Sequence, residues 1–462
     1  MTVSPFDTVA AVSTPYGKGG VAVIRLSGDR AVEIAARVFF PVSGQLLPAC
    51  KPRTAVYGTV RDPEDGQVLD DGLCTLFRAP HSFTGEDTAE IACHGGILVT
   101  RNVLEACLRA GARQALPGEF TRRAYLNGKL ELERAEALGN LLDAGNDEQV
   151  KLARAGMNGL LTTSAERVYT DLMAVLANME AGMDFPEEDL TEMPLSEIRE
   201  VIAEAEKNLS ALIATYRTGH AIAEGVPTVI CGRPNVGKSA FYNRLVGREA
   251  AIVTAIAGTT RDVLTDTVSL GRVTLRLSDT AGLRESDDPV EMIGVERARR
   301  ALDEAELALV LSEVCEPDAE ADELSRELTR QGKAVIRVYT KLDRAQTPVN
   351  AQEGAEGIPA VHLSSLTGEG FESLREAVER VFIDQELRMG EEAVVFSARQ
   401  AAALRETVAC LRTAVLNLDA GLPYDICADD IRAAMAELGG LCGRDAGEEV
   451  LTEIFSRFCV GK

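Results

Sequence analysis

The stretch "VICGRPNVGKSAFYNRL" constrains the chain more than any other, because a short apolar run passes into a glycine-bearing loop and then into a helical pattern. It fits G-x-x-x-x-G-K-[ST] as Gly232, Gly237, Lys238 and Ser239. Glycines there let successive backbone N–H groups curl around phosphate oxygens, and the helix that follows adds its positive end. Lys238 would reach the β- and γ-phosphates, and the Ser239 hydroxyl would bind Mg²⁺. A chance turn would not account for a strand on one side and a helix on the other. The neighbouring runs "PTVIC", "VTLRLSD", "LALVLSE", "AVIRVYT" and "PAVHLS" each end in a polar loop, with helical patterns between several of them. That alternation predicts a mostly parallel sheet covered by helices.

Further elements follow in the order a nucleotide switch requires. "AGTTRD" offers Thr260 as a second Mg²⁺ ligand. In "SDTAG" (278–282) Asp279 would hold the metal through water, and Thr280, Ala281 and Gly282 would bring a backbone amide to the γ-phosphate. The segments "TKLD" (Thr340, Lys341, Leu342, Asp343) and "SSL" (Ser364, Ser365, Leu366) each end a strand, where a base-recognition loop belongs. Asp343 can accept both donors on guanine's Watson–Crick edge, which adenine cannot offer together. Thr340 replaces the Asn of the usual N-K-x-D motif, so guanine binding is expected to weaken by about 1 kcal/mol for one neutral hydrogen bond. The phosphate loop contributes Asn235, Val236, Gly237, Lys238, Ser239 and Ala240.

Catalysis needs a group to orient water, and Leu283, directly after D-T-A-G, has no polar atom for it. Nor is there an obvious arginine finger. Asn235 beside the phosphates either holds a monovalent cation in that place or is a plain turn residue.

Composition excludes several other classes. Lys and Arg total 48 against 72 Asp and Glu, a formal charge of −24, which argues against coating nucleic acid through bulk positive charge but leaves room for a local basic patch. Ten Cys without a C-x-x-C pair, and four His, fit neither a disulfide frame nor a zinc site and suit a reducing compartment. The N-terminus has no basic segment before an apolar core, and no apolar run reaches about 18 residues, so a cytoplasmic protein without stable membrane insertion is expected.

Three compositional regimes divide the chain. Residues 1–127 read as mixed α/β, with strands at "VAVIRLSG" (21–28) and "DTAEIACHGG" (87–96) and a helix at "AVEIAARVFF". Residues 128–220 are helical, with Ile198, Val201, Ile202, Ala205, Leu209, Leu212, Ile213 and Tyr216 on one face and a break at "MDFPEEDLTEMP". The nucleotide domain spans 221–383, and the helical pattern resumes over 384–462. The expected architecture is an N-terminal α/β domain followed by a helical bundle interrupted by an inserted Ras-like P-loop domain.

Blocks outside the nucleotide motifs narrow the choice. "TPYGKGGVAVIRLSG", "SFTGEDTAEIACHGG", "PGEFTRRAYLNGKLELERAEAL", "MDFPEED", "DTAGLRESDDPVEMIG" and the terminal "FCVGK" run end to end in one order. Together they resemble the tRNA-modification GTPase MnmE (TrmE) family. The resemblance implies a homodimeric, K⁺-dependent GTPase that works on the wobble uridine of tRNA with an FAD-containing partner, MnmG (GidA), in a heterotetrameric or larger complex. It implies an aminomethyl or carboxymethylaminomethyl group placed on carbon 5, the one-carbon unit coming from 5-formyl- or methylene-tetrahydrofolate bound in the N-terminal domain, which also dimerises. Carried over by position, the K⁺ ligands are Asn235, Thr254, Ile256 and Thr259, with Ala255, Ala257 and Gly258 completing that nucleotide loop. Mg²⁺ falls to Ser239 and Thr260. Glu291 takes the water-orienting role, although alone it would be read as a solvated acid at a helix start. Folate falls to Arg25, Glu90, Lys129 and Lys462; Arg25 and Lys129 would otherwise be read as surface charges.

The ending "FCVGK" superficially fits a prenylation signal, but Gly461 is not aliphatic and no polybasic stretch precedes it. Apolar spacing in "VLTEIFSRF" instead predicts an amphipathic helix running nearly to the end, aiming Cys459 and Lys462 at a fixed place. Cys459 is therefore a candidate catalytic thiol beside the folate site. Competing readings are a ribosome-assembly or membrane-associated GTPase switch, which predicts no folate binding, and a folate enzyme with a vestigial GTPase domain.

Overall fold

A computed structural model describes residues 7–184, 193–249, 266–278, 301–314, 316–345, 357–444 and 447–462. The chain forms two compact units, one of residues 1–139 with 439–462 and one of residues 140–438.

The first unit is built on a seven-stranded sheet ordered β3-β4-β5-β6-β2-β1-β7. The strands are β1 Val9–Val12, β2 Val21–Ser27, β3 Phe39–Pro41, β4 Val56–Arg61, β5 Val68–Phe77, β6 Thr88–His94 and β7 Arg113–Gln114. Pairing is antiparallel except between β1 and β7. Alternation along β2 buries Ala22, Ile24 and Leu26 against the helices Ala31–Val38 and Ile97–Arg109, leaving Arg25 on the opposite face. The helix expected over "AVEIAARVFF" stops at Val38, and Phe39 turns extended at φ −119° and ψ 125° to open β3. The buried Phe39 ring and the proline two residues on favour a strand there. The C-terminal helix Glu448–Ser456 packs Leu451 and Phe455, joined by Phe458 just beyond it, on Leu132 and Ala135.

The second unit contains a six-stranded sheet ordered β13-β12-β11-β8-β10-β9. Its strands are β8 Val226–Gly232, β9 Asp266–Leu270, β10 Val273–Leu277, β11 Leu307–Glu313, β12 Ala334–Thr340 and β13 Ala360–His362. All neighbours are parallel except β9, an antiparallel edge strand on β10. The five apolar runs are β8, β10, β11, β12 and β13. The β9 strand went unread because its half-exposed alternation, "DTVSL", lacks a continuous apolar stretch. Long helices, Leu160–Asp184, Leu195–Ala214, Ala398–Asp419 and Tyr424–Leu441, make the bundle. The predicted face of Leu195–Ala214 buries Ile198, Ile202, Ala205 and Leu209. Ser397 and Gln400 cap Ala398–Asp419 reciprocally. The helix Asp147–Met157 is tied to β10, where Gln149 Nε2 donates to Thr274 Oγ1 at 3.3 Å, and to the helix Tyr216–Ala223, where it donates to Ile222 O at 2.9 Å. Among the described residues no helix is long and apolar enough to cross a membrane.

Candidate functional site

The central strand β8 ends at Gly232, and the helix Lys238–Glu249 begins six residues later. Between them the backbone turns through left-handed space at Gly232 (φ 144°), Asn235 (φ 66°) and Gly237 (φ 95°). A β-carbon on Gly232 would come within 2.5 Å of Leu311 O, so the loop closes tightly on β11. Lys238 lies over this loop, its Nζ donating to the carbonyls of Gly232 at 2.8 Å and Arg233 at 2.7 Å. Burial holds its pKa below the ordinary lysine value. Ser239 and Ala240 are exposed in the first turn of the helix, and Val236 is buried beneath the loop.

The loops after β12 and β13 approach the same end of the sheet. Thr340 is buried, and its hydroxyl donates to Val236 O at 2.6 Å, with Ser312 O at 3.2 Å. Lys341 adopts φ 60°, which aims its Nζ at Asn235 O, 2.9 Å away, and at the Glu313 carboxylate. The phosphate loop and the base loop are therefore tied together at two successive residues. Leu342 N–H donates to Leu363 O at 3.1 Å, joining the base loop to the "SSL" segment. Asp343 accepts from the Ser364 hydroxyl, the main reason its carboxyl sits below the usual carboxylate range. Asp343 is exposed, as is Leu366, while Ser365 Oγ is buried without a partner among the described residues.

Thr254, Ala255, Ile256, Ala257, Gly258, Thr259, Thr260, Asp279, Thr280, Ala281, Gly282 and Glu291 lie outside the described residues. Of the metal candidates, Ser239 presents the hard hydroxyl oxygen that Mg²⁺ takes, and Asn235 stands in the phosphate loop where a cation ligand was expected.

A second cluster lies in the first unit. Arg25 and Glu90 are register partners on β2 and β6 and pair at 2.9 Å, half-buried on the face away from the helices. The Arg25 guanidinium lies 5.6 Å from the ring centroids of both Phe83 and Phe120. Phe120 N–H donates to Lys462 O at 3.1 Å. The Lys129 stem lies against Gly85, where an added β-carbon would come within 3.1 Å of its Cγ. Arg25, Glu90, Lys129 and Lys462 are thus linked through Phe83, Gly85 and Phe120. A guanidinium, a carboxylate and the partly exposed Phe83 ring fit a pterin with its glutamate tail. Sequence reasoning missed Phe83 and Phe120; their positions in "SFTGED" and "PGEFTRR" carry no chemical mark beyond an aromatic ring beside a turn.

The C-terminus is tied down. Val460 bridges Pro117, Gly118 N–H meets Cys459 O at 3.5 Å, and Gly461 is buried against Val12. Cys459 is exposed, whereas the other described cysteines are buried or half-buried.

A glycine-bearing phosphate loop on the central strand of a mostly parallel sheet, tied to an Asp-bearing base loop, defines a Ras-like P-loop GTPase domain. Here it is inserted in a helical bundle that follows an α/β domain. The profile described as "GTP-binding protein TrmE N-terminus" matches residues 8–129, and that described as "MnmE helical domain" matches residues 132–459. Proteins named tRNA modification GTPase MnmE match over their full length: 43 % identity in Symbiobacterium thermophilum over 99 % of both chains, 40 % in Geobacillus kaustophilus over 100 % of both, and 40 % in Moorella thermoacetica over 99 % of both. The chain belongs to the MnmE family of tRNA-modification GTPases.

Proposed function

We propose that this chain hydrolyses GTP to GDP and phosphate in the modification of tRNA wobble uridines. One observation carries the reading: the Thr340–Val236 contact joins a phosphate loop to a guanine-type base loop, in a chain matched end to end by tRNA modification GTPases. The amides of the loop and the Lys238 ammonium hold the β- and γ-phosphates, and ionised Asp343 accepts from guanine. Glu291 orients the water that attacks the γ-phosphorus. The bond to the β,γ-bridging oxygen breaks, and the electron pair leaves with GDP. Mg²⁺ on Ser239 and Thr260, and K⁺ on Asn235, Thr254, Ile256 and Thr259, supply positive charge to the phosphate oxygens when bound.

In the first unit, the paired Arg25 and Glu90 suit the pterin end of a reduced folate, the carboxylate taking its donor edge, and Lys129 and Lys462 suit the glutamate tail. The folate supplies the one-carbon unit for carbon 5 of the uridine, and the FAD-containing partner MnmG works with a cytoplasmic homodimer of this chain. The pinned tail supports a role for the exposed Cys459 thiol in that chemistry.

Two measurements test the reading. Mass spectrometry of wobble uridines, in a strain lacking the protein, should show modification restored by the wild type and not by Cys459→Ser, which retains GTP hydrolysis. Hydrolysis should be fast in K⁺ and slow in Na⁺; equal rates remove Asn235 from its cation role.

A further inference from the structure

The block "PGEFTRRAYLNGK" contains charged residues that the proposed function does not use, and two of them are buried. Arg123 and Glu119, on the helix Glu119–Leu126, have side chains 8 % and 5 % exposed, a placement that demands partners. Arg123 has several. Its Nη1 donates to Asp7 O at 2.9 Å and reaches Glu86 Oε2 at 3.2 Å; its Nη2 donates to Asp7 Oδ1 at 2.7 Å and Glu119 Oε1 at 2.9 Å. Arg113 closes the network on Asp7 and Glu119 at 2.6 Å each.

Glu86 belongs to the loop 83–86, and the same carboxylate accepts from Ser27 Oγ, at the end of β2, at 2.7 Å. That loop carries the Phe83 ring beside Arg25 and the Gly85 backbone under Lys129. The helix that carries Arg123 also carries Phe120, which touches Arg25 with its ring and Lys462 with its amide. One guanidinium therefore joins the two segments that link all four folate candidates. Its planar fork spans three carboxylates and a backbone carbonyl at once, which a lysine ammonium cannot do in the same geometry.

We infer that Arg123 is a positioning residue for the folate pocket: through Glu86 and Glu119 it sets the loop 83–86 against the turn that holds the C-terminus. The inference rests on the folate reading above. It is tested on the full chain by titration with 5-formyltetrahydrofolate, with hydrogen exchange as the structural control. Arg123→Lys should weaken binding at least tenfold and speed exchange of the amides at 83–86, while the amides of β2 and β6 keep their protection. Glu86→Gln removes the loop's charge while keeping its shape, and should give the same pattern at smaller amplitude if Arg123→Lys proves too unstable to purify. Unchanged affinity in both variants, or loss of affinity only together with protection in β2 and β6, overturns the inference. A wild-type protein that binds no reduced folate instead overturns the folate reading itself.

Discussion

The Thr340 hydroxyl donates to the carbonyl of Val236 across 2.6 Å, closing the base loop onto the phosphate loop. A hydroxyl has one proton, and the 3.2 Å separation from Ser312 O makes that carbonyl the poorer acceptor. With its donor committed to the loop, the Thr340 hydroxyl has no proton left for a base, and the proposed preference for guanine rests on Asp343.

Thr340→Val keeps the shape of the side chain but leaves the Val236 carbonyl short of its donor. A loss of about 1–3 kcal/mol is expected, equal for GTP and GDP, because the bond precedes either ligand. Thr340→Ser should recover most of it. Fluorescence titration with GTP, GDP and ATP checks both points. A variant that narrows the gap between GTP and ATP would mean that Thr340 does contact the base.

The tail offers a sharper steric test. Gly461 has φ 102°, and a β-carbon there would come within 2.0 Å of Val12 O. Both the conformation and the approach exclude a side chain. Gly461→Ala should therefore break the Val460–Pro117 bridge and the Phe120–Lys462 bond. Carboxypeptidase should then remove Lys462 faster, and tRNA modification should fall while GTP hydrolysis persists. Unchanged release of Lys462 would show that the pinned tail is not what orders this end.

Local pattern accounts for what was readable in advance. Apolar runs of five to seven residues marked β8, β10, β11, β12 and β13, and three-and-four spacing marked the buried face of Leu195–Ala214. The phosphate loop announced itself because glycine spacing and the Lys-Ser pair are local too. What stayed hidden depends on pairing across long separations. Arg25 meets Glu90 only because β2 and β6 align in one register, and Arg123 meets Asp7 across 116 residues. The direction of the Thr340 hydroxyl was equally hidden: the substitution was visible, but its new acceptor belongs to a loop 104 residues earlier. The folate candidates were legible only through family resemblance, since their identities alone describe surface charges.

Glu119 makes the buried network sensitive to acid. Burial by itself pushes its carboxyl up, but hydrogen bonds from Arg113, the Leu116 amide and Arg123 outweigh it and hold the group below the ordinary glutamate range. Asp7 moves the same way, with burial again opposed by Arg113 and Arg123. A carboxylate depressed by folding contributes stability that is fully present above its unfolded pKa, and that contribution is lost as pH falls through the lower folded value. The loop 83–86 and the helix Glu119–Leu126 should therefore lose exchange protection progressively below about pH 4.5, the unfolded reference for Glu119. Glu119→Gln should lower protection there at pH 7 by about 1–3 kcal/mol, because it takes one charge from the network while Asp7 and Glu86 still face Arg123, and should flatten the acid limb. Hydrogen exchange suits the measurement because a chain of several units need not unfold in one step. Parallel acid limbs in wild type and Glu119→Gln would assign the acid sensitivity to other carboxylates.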